Sequence, residues 1–188
     1  MISKNDYLLF KTSLVLVFSM IYSFVELKTP FYEFINPYIY RVIYFILFFA
    51  ISLTPSLRLT FAYFFISMTL EDAFYWILAN QLPFSYAWYY PVIDHIPIDD
   101  IVEVAIAVVL LSIKKGEIKV PEFHAKCDMR YWFFHGKTHD LYGLLILGAM
   151  NIILYLYTTS TILHLISITD LVIVTGIFVD LWSHCFHH

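Results

Sequence analysis

The chain has 188 residues, of which 61% are hydrophobic, 20% aromatic and only 14% charged, with a net charge of −4. A soluble domain usually carries roughly 25% charged residues, so this composition and its long apolar runs exclude an ordinary water-soluble fold and predict an integral membrane protein. No basic tail or stripe is present to hold nucleic acid, and five glycines leave little room for a nucleotide-cradling loop.

A bilayer core is crossed by about 20 apolar helical residues, and six segments approach that length. The first covers residues 7–25. The N-terminal stretch "MISKNDYLLFKTSLVLVFSMIY" has no small-residue cleavage site, which predicts a retained helix and not a signal peptide. The second covers residues 38–53 and stops before Pro55; the third covers residues 57–78. The fourth, residues 98–113, is short and has three acids near its start. The fifth and sixth, residues 141–157 and 162–182, are separated by only "TTST" and predict a tight hairpin. With no linker or low-complexity stretch, the expectation is one all-α, polytopic membrane domain over residues 1–188, with about six transmembrane helices in one bundle.

Lys and Arg favour cytoplasmic loops. With the N-terminus inside, the inner side holds Lys4, Arg58, Lys114, Lys115, Lys119, Lys126, Arg130 and Lys137, and the outer side holds Lys28 and Arg41. Eight against two predicts a multi-pass protein of the cell membrane with both termini cytoplasmic. Cys127 and Cys185 then both face the reducing side and are expected as free thiols.

Carboxylates appear where they are costly. "FISMTLEDAFYWILAN" sets Glu71 and Asp72 deep in the third span, where a charge costs several kcal/mol unless it is paired, protonated or in a wet cavity. "HIPIDDIVEVAIAV" opens the fourth span with Asp99 and Asp100. A first-turn position beside the helix dipole explains those two. Glu103 lies a full turn deeper, on the same face as Asp99. Glu71, Asp72 and Glu103 are therefore the candidate catalytic residues.

Five of the eight histidines fall in two clusters: His135 and His139 in "FFHGKTHD", and His184, His187 and His188 in "DLWSHCFHH". Residues four apart share a helical face, and neutral imidazole is the commonest side-chain metal ligand. The hairpin of spans five and six returns the chain to the face it left, so both clusters reach one side of the membrane. Asp180, a turn before His184, suits a ligand or a partner that orients an imidazole. The alternative is that these histidines are simply polar helix ends.

The pattern Hx₃H followed by Hx₂HH resembles the histidine boxes of the membrane fatty-acid desaturase and hydroxylase superfamily. The resemblance implies two irons at the cytoplasmic ends of helices, O₂ as oxidant, and a lipid C–H bond as target. It covers about 54 residues and lacks that family's third box. A second resemblance joins "YPVIDH" and "HGKTHD" to the membrane-bound metal-dependent hydrolases, and implies Asp94, His95, His135, His139 and Asp180 around zinc. A third sets the acid pairs in "TLEDAFYWI" and "PIDDIVEVA" beside the integral-membrane carotenoid cyclases, where an acid protonates a polyene.

The expected function is a metal-dependent enzyme acting on a membrane lipid or other hydrophobic substrate, with iron favoured over zinc and O₂-dependent di-iron oxidation leading. The alternatives are a zinc-dependent hydrolase, a cyclase-like isomerase, and a non-enzymatic ion or proton carrier or accessory subunit of a membrane complex.

Overall fold

The computed structural model describes residues 4–29, 36–83, 91–113, 139–157 and 159–186. Among them are six helices and one small hairpin. The helices are α1 (Lys4–Lys28), α2 (Pro37–Ser52), α3 (Leu57–Ala79), α4 (Ile98–Ser112), α5 (His139–Tyr157) and α6 (Thr161–Phe186). Strands β1 (Val92–Ile93) and β2 (Ile96–Pro97) lie between α3 and α4. The described fold is all-α in class, and each predicted apolar segment coincides with a helix to within four residues.

The helix ends follow local chemistry. Asn36 accepts the Tyr38 amide at 2.9 Å, and Pro37, which has no amide donor, occupies the first turn of α2. Pro55 disfavours helix in the residue before it, and α2 stops at Ser52. α3 closes on Asn80, in the left-handed region at φ 53°. The Gln81 amide reaches back to Trp76 O and the Asn80 amide to Ile77 O, both at 3.2 Å, a Schellman-type ending. Asp99 and Asp100 do occupy the first turn of α4.

The hairpin was not legible in advance. Val92 pairs with Pro97 and Ile93 with Ile96, so Asp94 and His95 form a two-residue turn. Both have positive φ, 49° and 65°, as a type I′ turn requires. Such turns are usually flagged by Asn-Gly or Asp-Gly. Here Asp and His, both tolerant of the left-handed region, fill it without glycine.

The chain divides into two compact units, Phe18–Ile118 on one hand and Met1–Val17 with Lys119–His188 on the other. In the first unit the helices alternate in direction. Ser19 donates to Ser67 O at 2.8 Å and Ser23 to Glu71 O at 2.7 Å, one turn apart on both helices, so α1 and α3 run parallel. α2 runs against both: Phe48 packs on Phe18 and Tyr44 on Tyr22, while the Ser52 and Ser67 hydroxyls meet at 3.4 Å. α4 runs against α3, with Thr69 donating to Glu103 at 3.1 Å and Arg58 donating to Leu110 O at 3.1 Å. Ser19, Ser23, Ser52 and Ser67 are all 0% exposed. Small hydroxylated residues at such a seam let helix backbones approach closely and hydrogen-bond across, the packing chemistry typical of helices in lipid.

In the second unit α5 and α6 form an antiparallel hairpin. A Cβ added at Gly148 would meet Val174 at 3.8 Å; Asn151 donates to Asp170 at 2.6 Å; the Tyr155 ring lies tilted against His164 with centroids 4.7 Å apart. α1 contributes Phe10, against which a Cβ at Gly143 would sit at 3.5 Å, and the buried Ser13. Outward faces of the helices are strongly apolar: Ile39, Val42 and Ile46 on α2, Val108 and Val109 on α4, and Leu165 and Val172 on α6 are all exposed. Among the described residues, two helices are long and apolar enough to cross a membrane, over Asn5–Lys28 and Thr161–Asp180, and Pro37–Ser52 and Tyr142–Tyr157 are shorter apolar helices.

Candidate functional site

The four helices of the first unit enclose a cavity of about 210 Å³. α1 contributes Glu26. α2 contributes Tyr40, Arg41, Tyr44 and Phe45. α3 contributes Met68, Glu71 and Asp72, and α4 contributes Asp99 and Glu103. Helical spacing presents these residues together: Tyr40 and Tyr44, Met68 and Asp72, and Asp99 and Glu103 are each four apart. Five lining carboxyls face one lining basic side chain, Arg41.

Glu71 is the most enclosed of the acids, at 2% exposure. Tyr44 donates to its Oε2 at 3.1 Å, while Oε1 has no hydrogen-bond partner among the described residues. Glu26 is the charged side chain that acts on it most strongly, and Glu26 in turn accepts from Tyr40 at 2.5 Å. Tyr22 donates to the Tyr40 hydroxyl at 3.4 Å, which extends the chain of phenols around this carboxyl pair.

Asp72 follows Glu71 directly, so it points about 100° away around the helix. It faces α4, where Asp100, Asp99 and Glu103 are its charged neighbours. Glu103 accepts from Thr69 at 3.1 Å. Oδ1 of Asp99 and Oδ1 of Asp100 are buried with no hydrogen-bond partner among the described residues. The acids thus form two poles, Glu26 with Glu71 and Asp72 with the α4 carboxyls. Among the described residues, no three His, Cys, Asp or Glu side chains converge closely enough to hold a metal ion.

The three candidate catalytic acids, Glu71, Asp72 and Glu103, therefore share one cavity. The residues that complete it were missed: Glu26, just past the predicted first span, and Tyr40, Arg41 and Tyr44 on α2. Their only signal was the four-residue spacing of the two tyrosines and a carboxylate at a helix C-terminus, where the dipole disfavours it.

None of the described candidate histidines is among the residues that line this cavity. His135, His187 and His188 lie outside the described residues, as do Cys127 and the rest of residues 114–138. His139 opens α5 and His184 lies in the last turn of α6. The hairpin register set by Gly148–Val174 and Asn151–Asp170, continued to its open end, brings the backbone of His139 level with that of His184 to within a turn. Asp180 is one turn earlier on α6. His95 is exposed at the β-hairpin tip, and its Nδ1 lies 2.6 Å from Pro83 O, a contact that needs the proton on Nδ1. Asp94 and His95 thus have a turn-forming role in the fold.

Over 201 aligned residues the chain is 40% identical to "Putative transmembrane protein ORF202" of Acidianus filamentous virus 2 (isolate Italy/Pozzuoli), an alignment covering 98% of this chain and all of that protein. No family model matches the chain. No solved structure matches it.

Proposed function

The chain belongs to the family of that viral protein, and on this premise we propose that it is a multi-pass membrane protein that binds cations in the acid-lined cavity of its first four helices. This is the non-enzymatic carrier or accessory reading among those the sequence opened. The observation that carries it is Glu71, nearly inaccessible at the edge of a cavity, with one carboxylate oxygen unpartnered among the described residues. Four more carboxyls and one basic side chain line the same space. An ionised carboxylate removed from water is strongly unfavourable unless a compensating charge is supplied, and a bound cation supplies it.

The Lys/Arg bias orients the cavity. With the N-terminus inside, the cavity walls gather toward the outer ends of the helices: Glu26 near the end of α1, Tyr40 and Arg41 at the start of α2, and Asp99 at the start of α4. The cavity then faces away from the cytoplasm. Six crossings require α2 and α4, with 16 and 15 residues, to span. At 1.5 Å per residue they reach about 22–24 Å, short of a typical core, and local thinning of the bilayer accommodates the difference.

The test uses the full chain in nanodiscs. Cations should raise its thermal stability with the logarithm of their concentration above Kd, by about 2.7 kcal/mol at a hundredfold excess, and Glu71→Gln should weaken the effect. Unchanged melting across sodium, magnesium and alkylammonium salts would refute the reading.

A second reading keeps the metal-dependent lipid enzyme. It is supported by the hairpin register that brings His139 and His184 to one end. Metal analysis of protein purified without a histidine tag decides it: two irons favour oxidation, zinc favours hydrolysis, and loss of metal in His139→Ala and His184→Ala assigns the site.

A further inference from the structure

We propose that the cavity ligand is a linear aliphatic diamine, held by its two ammonium groups at the two carboxyl poles. The inference rests on the cavity's being a cation site, and it names the class of cation.

Three features distinguish this ligand from a metal ion. The first is the arrangement of the acids. Calcium gathers six to eight oxygens at 2.3–2.6 Å and magnesium a near-ideal octahedron at 2.0–2.1 Å, whereas among the described residues no three acids are placed to hold one metal ion. Glu71 instead pairs with Glu26, while Asp72 turns toward Asp100, Asp99 and Glu103. Two anionic poles facing one space call for two separated positive charges.

The second feature is size. A water molecule occupies about 30 Å³ of liquid, and the cavity holds about 210 Å³. It admits a small organic molecule.

The third feature is the rest of the cavity wall. Phe45, Met68 and Tyr44 belong to it. An alkyl spacer is at home against such surfaces, and aromatic faces attract ammonium groups by cation–π interaction. A hydrated ion would gain nothing from them. The unpartnered Glu71 Oε1 is the acceptor awaiting one ammonium group, and Glu103 stands at the other pole beside Thr69.

The experiment is calorimetric titration of the full chain in phosphatidylcholine nanodiscs, whose lipid has no net charge to compete for amines. The probes are 1,4-diaminobutane, n-butylamine, sodium and magnesium. The diamine should bind at least about tenfold more tightly than butylamine, the worth of one added charge-assisted hydrogen bond. Glu71→Gln and Glu103→Gln should each reduce the diamine to the butylamine level. Circular dichroism and a monodisperse elution profile check that each variant is folded, and the wild-type comparison decides the matter even where one is not. Equal affinity for the two amines overturns the diamine inference and leaves a single-charge cation site. Tighter binding of magnesium than of the diamine overturns it too. Failure of every cation to bind overturns both this inference and the proposed function.

Discussion

The Tyr44 hydroxyl donates to Glu71 Oε2 at 3.1 Å across the α2–α3 contact, and the other carboxylate oxygen of Glu71 has no hydrogen-bond partner among the described residues. The backbone carbonyl of the same residue is held from the opposite side by Ser23 of α1 at 2.7 Å. Glu71 is thus fixed by two helices and half satisfied. A buried polar group in that state is either a liability or a binding group, and its position on the cavity wall favours the second.

Removing the one donor tests this. Tyr44→Phe should destabilise the cation-free protein by about 1.5–3 kcal/mol, the usual worth of a hydrogen bond to a charged group. Saturating cation should recover part of that loss. Thermal unfolding with and without cation reads both. An unchanged melting temperature would mean that Tyr44 contributes nothing to holding Glu71.

The serine seam should tolerate loss of its hydroxyls better than gain of volume. Ser19→Ala should cost about 0.6 kcal/mol, the mean for interhelical hydrogen bonds in a membrane protein. Ser19→Leu should cost about 1–3 kcal/mol through overpacking, because Ser19 is 0% exposed where α1 meets α3. Equal effects of the two changes in a denaturation series would contradict a close-packed seam.

The α5–α6 hairpin contains a buried polar pair, Asn151 donating to Asp170 at 2.6 Å, with both residues 1% exposed. Asn151→Leu should destabilise by about 1–3 kcal/mol by leaving Asp170 without this donor. Adding Asp170→Leu should return most of that loss, because replacing both partners with apolar groups is close to neutral. A double variant less stable than Asn151→Leu alone would show that Asp170 has a second essential partner.

Topology is tested from outside. In sealed, right-side-out vesicles Cys127 should resist a membrane-impermeant thiol reagent and react after permeabilisation, as the eight-to-two Lys/Arg bias requires. Labelling without permeabilisation would reverse the proposed orientation and turn the acid cavity toward the cytoplasm.

The helices were legible because their causes are local. Apolar stretches of 15–26 residues, stopped by Pro55 and Asn80 and restarted at Pro37 and after Pro97, leave little freedom in where helix begins and ends. The cost of Glu71 and Asp72 was equally local, since any carboxylate inside an apolar helix needs compensation. Their surroundings were not legible. Tyr44 is 27 residues from Glu71, and Ser23 is 48 residues from it. Which faces meet is set by the fit of side chains across the helix seams, a sum of many weak contacts that no hydropathy pattern records. The same reason explains the hairpin at Asp94 and His95, whose turn conformation comes from strand pairing rather than from a glycine. Sequence alone therefore determined an all-α, apolar chain with acids in costly positions. Only the tertiary structure decided that those acids line one cavity as two poles, because pole and cavity are properties of helices already packed.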